Sequence, residues 1–165
     1  MNLLDRDKLT DEEWSVLRAA PQLVLLAVSA SGGSRLDTIL ERTAGRRAIE
    51  NGRNNDHPVI RQIAESAQIE AAEHTVEASA YDERGVLREA GQLLALAENN
   101  VRAAADLLRR TGSELDMYAY REFILGIARA VAEAAREGDF LGLGGHRVSD
   151  AERAVIAAVS QALST

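Results

Sequence analysis

The sequence predicts an all-α protein of about six helices, packed as an antiparallel bundle with three long central helices. Three observations carry this. Apolar residues recur in steps of three and four along most of the chain, while the alternating runs of strands are missing. Alanine, the best helix former, supplies 29 of the 165 residues, against two prolines. Thr10-x-x-Glu13 and Ser149-x-x-Glu152, the pattern of a reciprocal helix cap, each precede an apolar run. The length fits a single helical domain over 1–165, with room for a sizeable core.

The first helix opens at the Thr10 capping box and carries a stripe of Trp14, Leu17, Val24, Leu25 and Val28. Pro21 lacks a backbone donor, which predicts a kink or two short helices with Pro21 in the first turn of the second. Gly32-Gly33 ends this element. Ser34 caps a second helix with Leu36, Ile39, Leu40 and Ile49, weakened in its middle by Gly45. Asn51 to Asp56 is a loop. Asp56 is the expected cap of a third helix, with Pro58 in its first turn. Its face gathers Ile60, Ile63, Ala67, Ala71, His74, Ala78 and Tyr81.

Asp82 caps the fourth helix, whose Leu87, Ala90, Leu94, Ala97, Val101, Ala104 and Leu108 form a heptad-like seam of large and small residues. Thr111-Gly112-Ser113 reads as a stop and restart. The fifth helix carries Met117, Tyr120, Ile124, Ile127, Val131 and Ala134, and ends at Glu137-Gly138. A glycine-rich loop follows, its Phe140, Leu141 and Leu143 suited to tuck against the bundle. The last helix starts at the Ser149 box and buries Val155, Val159 and Leu163. The third, fourth and fifth helices are expected to form the long body. The segments LTDEEWSVL and VSDAERAVI share their start-of-helix grammar, with or without a true internal repeat.

Composition excludes several functions. The chain has no cysteine, so disulfide scaffolds, cysteine zinc sites and thiol catalysis are out. A net charge of −7 argues against general nucleic-acid binding, which depends on neutralising phosphates. Met1 to Lys8 lacks the apolar core of a signal peptide, and the most apolar stretch, Leu23 to Ala30, falls short of the ~20 residues that span a bilayer. A cytoplasmic protein without a membrane span is expected.

Few residues suggest chemistry. His74 is the histidine placed on an apolar face, with Glu70 and Glu73 nearby. The Glu-x-x-His pattern of di-metal bundles fails, because Ala71 stands three residues before it. A core histidine bonded to a neighbouring helix is the plainer role. Tyr81, Tyr118 and Tyr120 are candidate ligand-binding residues, since an aromatic with a polar tip suits a pocket as well as a core. Arg42 and Arg46, one turn apart, could hold an anion, although interleaved Glu41 and Glu50 fit a solvated ion-paired face. The 138–149 loop has neither P-loop, dinucleotide nor EF-hand spacing. No Gly-x-Ser-x-Gly occurs, and the lone lysine, Lys8, rules out Ser-x-x-Lys.

The run AVAEAAREGDFLGLGGHRVSDAE, residues 130–152, resembles uncharacterised bacterial helical proteins. More distantly, its helix, acidic-glycine turn and Val-Ser-x-x-Glu resemble tellurite-resistance TerB-like domains. That resemblance places Glu137, Gly138, Ser149 and Glu152 at motif positions and implies a metal-associated site at Glu137 and Glu152.

Three functional expectations result. The first is a non-enzymatic interaction or scaffold protein, oligomeric through the alanine seam, with a second copy or another protein as partner and no cofactor. The second is a small-molecule- or metal-binding stress-response domain of TerB-like type. The third is a hydrolase or lyase using His74 and a tyrosine.

Overall fold

A computed structural model describes residues 4–32, 35–66, 83–137 and 148–164, with side chains outside that description at 35–37, 83–88 and 135–137. Among the described residues run six α-helices and no strand: α1 (Asp11–Ser31), α2 (Arg35–Asn51), α3 (Pro58–Ser66), α4 (Glu83–Thr111), α5 (Glu114–Glu137) and α6 (Asp150–Ala162). Short 3-10 turns form at Arg6–Lys8 and Gly52–Asn54. The all-α bundle is as expected. The Ser34 and Asp82 caps, the third helix beyond Ser66 with His74 and Tyr81, and the 138–147 loop lie outside the described residues.

The helix starts follow the capping chemistry. The Glu13 N–H donates to Thr10 Oγ1 at 3.2 Å, and Glu13 Oε2 accepts from the Thr10 N–H at 3.0 Å. The same exchange joins Ser149 and Glu152, at 3.1 and 2.6 Å. A third box, with aspartate in place of glutamate, opens α5. There the Asp116 N–H donates to Ser113 Oγ at 3.2 Å, and Asp116 Oδ2 accepts from the Ser113 N–H at 2.7 Å. Each exchange satisfies helix-end donors that lack partners within the helix. Asp56 does not cap α3. The helix begins at Pro58, and the turn before it is closed by Asn55, whose side chain accepts from the His57 N–H at 2.8 Å.

Pro21 does not split α1, which runs as one helix through it. A proline at this position leaves the carbonyl four residues earlier, that of Leu17, without its helical donor. The Tyr120 hydroxyl of α5 donates to the Leu17 carbonyl at 3.0 Å and satisfies it. Trp14, Leu17, Val24, Leu25 and Val28 are all buried, as the stripe predicts. α1 has the length and apolarity of a membrane-crossing helix, which the Leu23–Ala30 stretch did not suggest, and more than half of that window is buried inside the bundle.

The face of α2 differs from the expectation. Ile39 and Leu40 are 64% and 43% exposed, while Glu41, Gly45 and Ile49 point inward. The cause is a close approach at Gly45. A Cβ there would stand 2.7 Å from Leu25 Cδ1 and 2.8 Å from Val131 Cγ2, so only glycine lets α2 sit this near both α1 and α5. Gly52, just past α2, faces Phe123 and Ala64 in the same way.

These contacts set the directions. Gly45 meets Val131 and Gly52 meets Phe123, so α2 runs antiparallel to α5. Leu17 pairs with Tyr120, and Leu25 and Val131 meet at Gly45, so α1 runs alongside α5 in the same sense. α4 turns back into α5 across Gly112-Ser113 and packs chiefly on α1, while α6 covers α4, α1 and α5. Among the described residues the long central helices are α1, α4 and α5. The expected place of the third helix in the body lies outside the described residues beyond Ser66. The C-terminal half of the α4 seam is closed by this packing, Ala97, Val101, Ala104 and Leu108 all being at most 1% exposed, while Ala90 and Leu94 are half-buried.

Candidate functional site

One groove joins several features that packing alone leaves unexplained. It lies between the Asn55–Pro58 turn and one face of α5, with a volume of about 520 Å³. The α5 wall is Leu115, Tyr118, Ala119, Glu122 and Phe123, the three-and-four spacing of a single helical face. Leu115 is 43% exposed and Tyr118 64%. On the opposite wall the Arg61 guanidinium donates to the Asn55 and Asp56 carbonyls at 2.8 and 2.9 Å, which holds the turn in place.

His57 lines the groove and is only 8% exposed. Its Nε2 stands 3.3 Å from Asp116 Oδ1, close enough for an ion pair but out of hydrogen-bond alignment. Neither ring nitrogen has a hydrogen-bond partner, and both are closed to solvent. A buried polar group left this way costs about 1–3 kcal/mol, so its position calls for an explanation.

Asp116 is fully buried and ties two segments together. It accepts from the Leu4 N–H on both oxygens at 3.1 Å, and from the Ser113 N–H and hydroxyl on Oδ2 at 2.7 and 2.6 Å. Its charge also sits at the N-terminal end of α5, where the helix dipole favours an anion. The carboxylate therefore holds the N-terminal segment and the α5 start, and it faces the imidazole that borders the groove.

The expected site residues separate in the structure. Tyr118 lies on the groove. Tyr120, two residues on, is fully buried, its hydroxyl bonded to Leu17, and burial pushes its ionisation far above the usual phenol range. Arg42 and Arg46 are half-buried on α2 and do not line the groove; Arg46 is engaged in an interaction of its own. Glu152 is 2% exposed and uses one oxygen in its capping box, while the Glu137 side chain lies outside the described residues. His74 and Tyr81 lie outside them as well. Among the described residues, no three acidic or histidine side chains are placed to hold a metal ion.

Sequence reasoning missed His57, Asp116 and Glu122. The Ser113-x-x-Asp116 cap signature could have flagged the aspartate. Nothing local marks His57, whose role depends on a contact 59 positions away along the chain, with Asp116.

No family model, curated protein or solved structure matches this chain.

Proposed function

We propose that the chain is a non-enzymatic interaction module, and that the groove beside Tyr118 docks a segment of a partner protein. The observation that carries this is an exposed tyrosine and leucine flanking a groove of about 520 Å³ that also borders a buried histidine lacking hydrogen-bond partners. Exposed aromatic anchors beside a concavity are typical of recognition surfaces. The closure of both His57 nitrogens to solvent supports recognition over catalysis, because a general base must come within about 2.6–3.2 Å of the proton it removes.

The C-terminal half of the α4 seam, from which self-association was expected, is buried within the chain, so this reading places the partner at the groove. The reading takes the chain as a cytoplasmic bacterial protein that works without a cofactor.

Random peptides displayed on phage and selected on the folded protein test the reading. Selection is expected to enrich peptides whose affinity falls about tenfold or more on Tyr118→Ala, an exposed substitution. Failure to enrich any peptide, or enriched peptides indifferent to Tyr118→Ala, would refute it.

A further inference from the structure

We infer that Asn51 is a site of spontaneous backbone modification that the fold holds back. Ring closure between the Asn51 side chain and the Gly52 nitrogen is blocked while the end of α2 stays helical. It proceeds when that end opens, and its isoaspartyl product does not fit back into the packed junction.

Sequence supplies the reactive pair. Asn51-Gly52 is the one Asn-Gly step in the chain. Glycine has no Cβ to shield its nitrogen or to hinder backbone rotation, so asparagine before glycine closes this ring readily. The Gly52 nitrogen gives up its proton and attacks Asn51 Cγ. The bond from that nitrogen to Cγ forms, the bond from Cγ to the side-chain amide nitrogen breaks, and the displaced nitrogen takes up a proton and leaves as ammonia. Water then opens the cyclic imide. Addition at Cγ leaves an aspartate in a normal chain. Addition at the backbone carbonyl carbon leaves the chain running through Cβ and Cγ, one carbon longer, with the former carbonyl as a free carboxylate. Water is the co-reactant, and neither oxidant nor reductant is needed.

The structure restrains this reaction. Asn51 is exposed and is the last residue of α2, with φ −61° and ψ −24°. The imide is a nearly flat five-membered ring, which needs Cβ and the next nitrogen on the same side of the Cα–C bond. A helical ψ turns the Gly52 nitrogen well away from Cβ. Ring closure therefore requires Asn51 to leave its helical conformation. Gly52 opposes that rotation. It is buried, and its carbonyl accepts from the Asn55 N–H at 3.1 Å. An added Cβ would stand 2.6 Å from Phe123 Cε2 and 2.9 Å from Ala64 Cβ, so Gly52 has little space to move.

The same packing rejects the isoaspartyl product. An extra backbone carbon must shift either the last turn of α2, anchored by the buried Ile49, or Gly52, pressed on Phe123 and Ala64. The aspartyl product keeps the native backbone and alters only an exposed side chain.

Ageing the full chain at mildly alkaline pH, native and in guanidinium above its unfolding transition, tests the restraint. Trypsin cuts after Arg47 and Arg53 and frees the peptide 48–53, whose asparagine, aspartyl and isoaspartyl forms separate by chromatography. Conversion is expected to be about tenfold or more slower in the native protein. Equal rates, or no conversion in either sample, would overturn the inference.

The aged, unfolded sample then tests the fit. It is refolded and brought to the guanidinium concentration that leaves half of the unmodified chains native. A brief protease pulse removes unfolded chains before the peptide is mapped. The ratio of native to unfolded chains is expected to be about tenfold lower for the isoaspartyl form than for the asparagine form. Asn51→Asp, which carries the charge without the extra carbon, is expected to stay close to the parent chain. An isoaspartyl form as stable as the asparagine form, or an Asn51→Asp variant as unstable as the isoaspartyl form, would overturn the packing account.

Discussion

Tyr120 illustrates how one polar group can decide whether a helix tolerates a proline. Pro21 removes the donor that would meet the Leu17 carbonyl, and the Tyr120 hydroxyl supplies another at 3.0 Å from a different helix. Tyr120→Phe leaves that carbonyl buried and unsatisfied, and is expected to cost about 1–3 kcal/mol by urea unfolding. In a Pro21→Ala background the restored alanine N–H can serve Leu17, so the same substitution is expected to cost less. Equal costs in both backgrounds would show the two residues to be independent. The pH dependence has a definite sign. Burial raises the hydroxyl's ionisation above its ordinary value of 10.0, so above that pH the unfolded chain loses a proton that the folded chain keeps. Stability is therefore expected to fall as pH rises past about 10, with a smaller fall in Tyr120→Phe. Sequence periodicity placed Tyr120 on the core stripe of its helix but could not name its partner, which lies 103 positions away.

Among the elements, α2 departs most from its sequence pattern. Two of its large apolar side chains, Ile39 and Leu40, stand outside while Ile49 is buried, and Gly45 forms a close contact with two other helices. Helix propensity alone ranks glycine about 1 kcal/mol below alanine, which makes Gly45 read as a weakness. The packing reverses that sign. Gly45→Ala puts a methyl within 2.8 Å of both Leu25 and Val131, and is expected to destabilise by about 1–3 kcal/mol. Gly91 in α4 is the control, being exposed with nothing within 4 Å of an added Cβ. Gly91→Ala is expected to stabilise by about 0.5–1 kcal/mol. Thermal unfolding of the two variants should shift in opposite directions; a shared direction would refute the close-approach account of α2. Where an element has strong local signals, as in the capped α1 and α6, its sequence reading and its structure agree. α2 differs because its inward face is set by how near two other helices come, a distance its own residues do not encode.

In the whole molecule, Asp116 ties the N-terminal segment to the start of α5 and faces the turn before α3. Three donors from two segments converge on its oxygens: the Leu4 N–H, the Ser113 N–H and the Ser113 hydroxyl. Asp116→Asn replaces one accepting oxygen by a donating amide among donors, and is expected to cost about 3 kcal/mol. Amide exchange should rise first over Leu4–Leu9 while the mid-helix amides of α5 stay protected. Unchanged exchange at Leu4 would show that the segment is held by the burial of Leu4 and Leu9 alone. The sequence by itself determined the helical class, the two glutamate capping boxes, the stripes of α1, α5 and α6 and the Gly112-Ser113 reversal. All of these depend on residues within a few positions of one another, where backbone hydrogen bonding and side-chain periodicity act. Only the tertiary structure decided that α1 packs along both α4 and α5, that Ala97, Val101, Ala104 and Leu108 of the α4 seam are buried within the chain, and that His57 meets Asp116 beside the groove. Those outcomes depend on which apolar faces bury each other most completely, and that is settled among distant segments when the chain closes on itself.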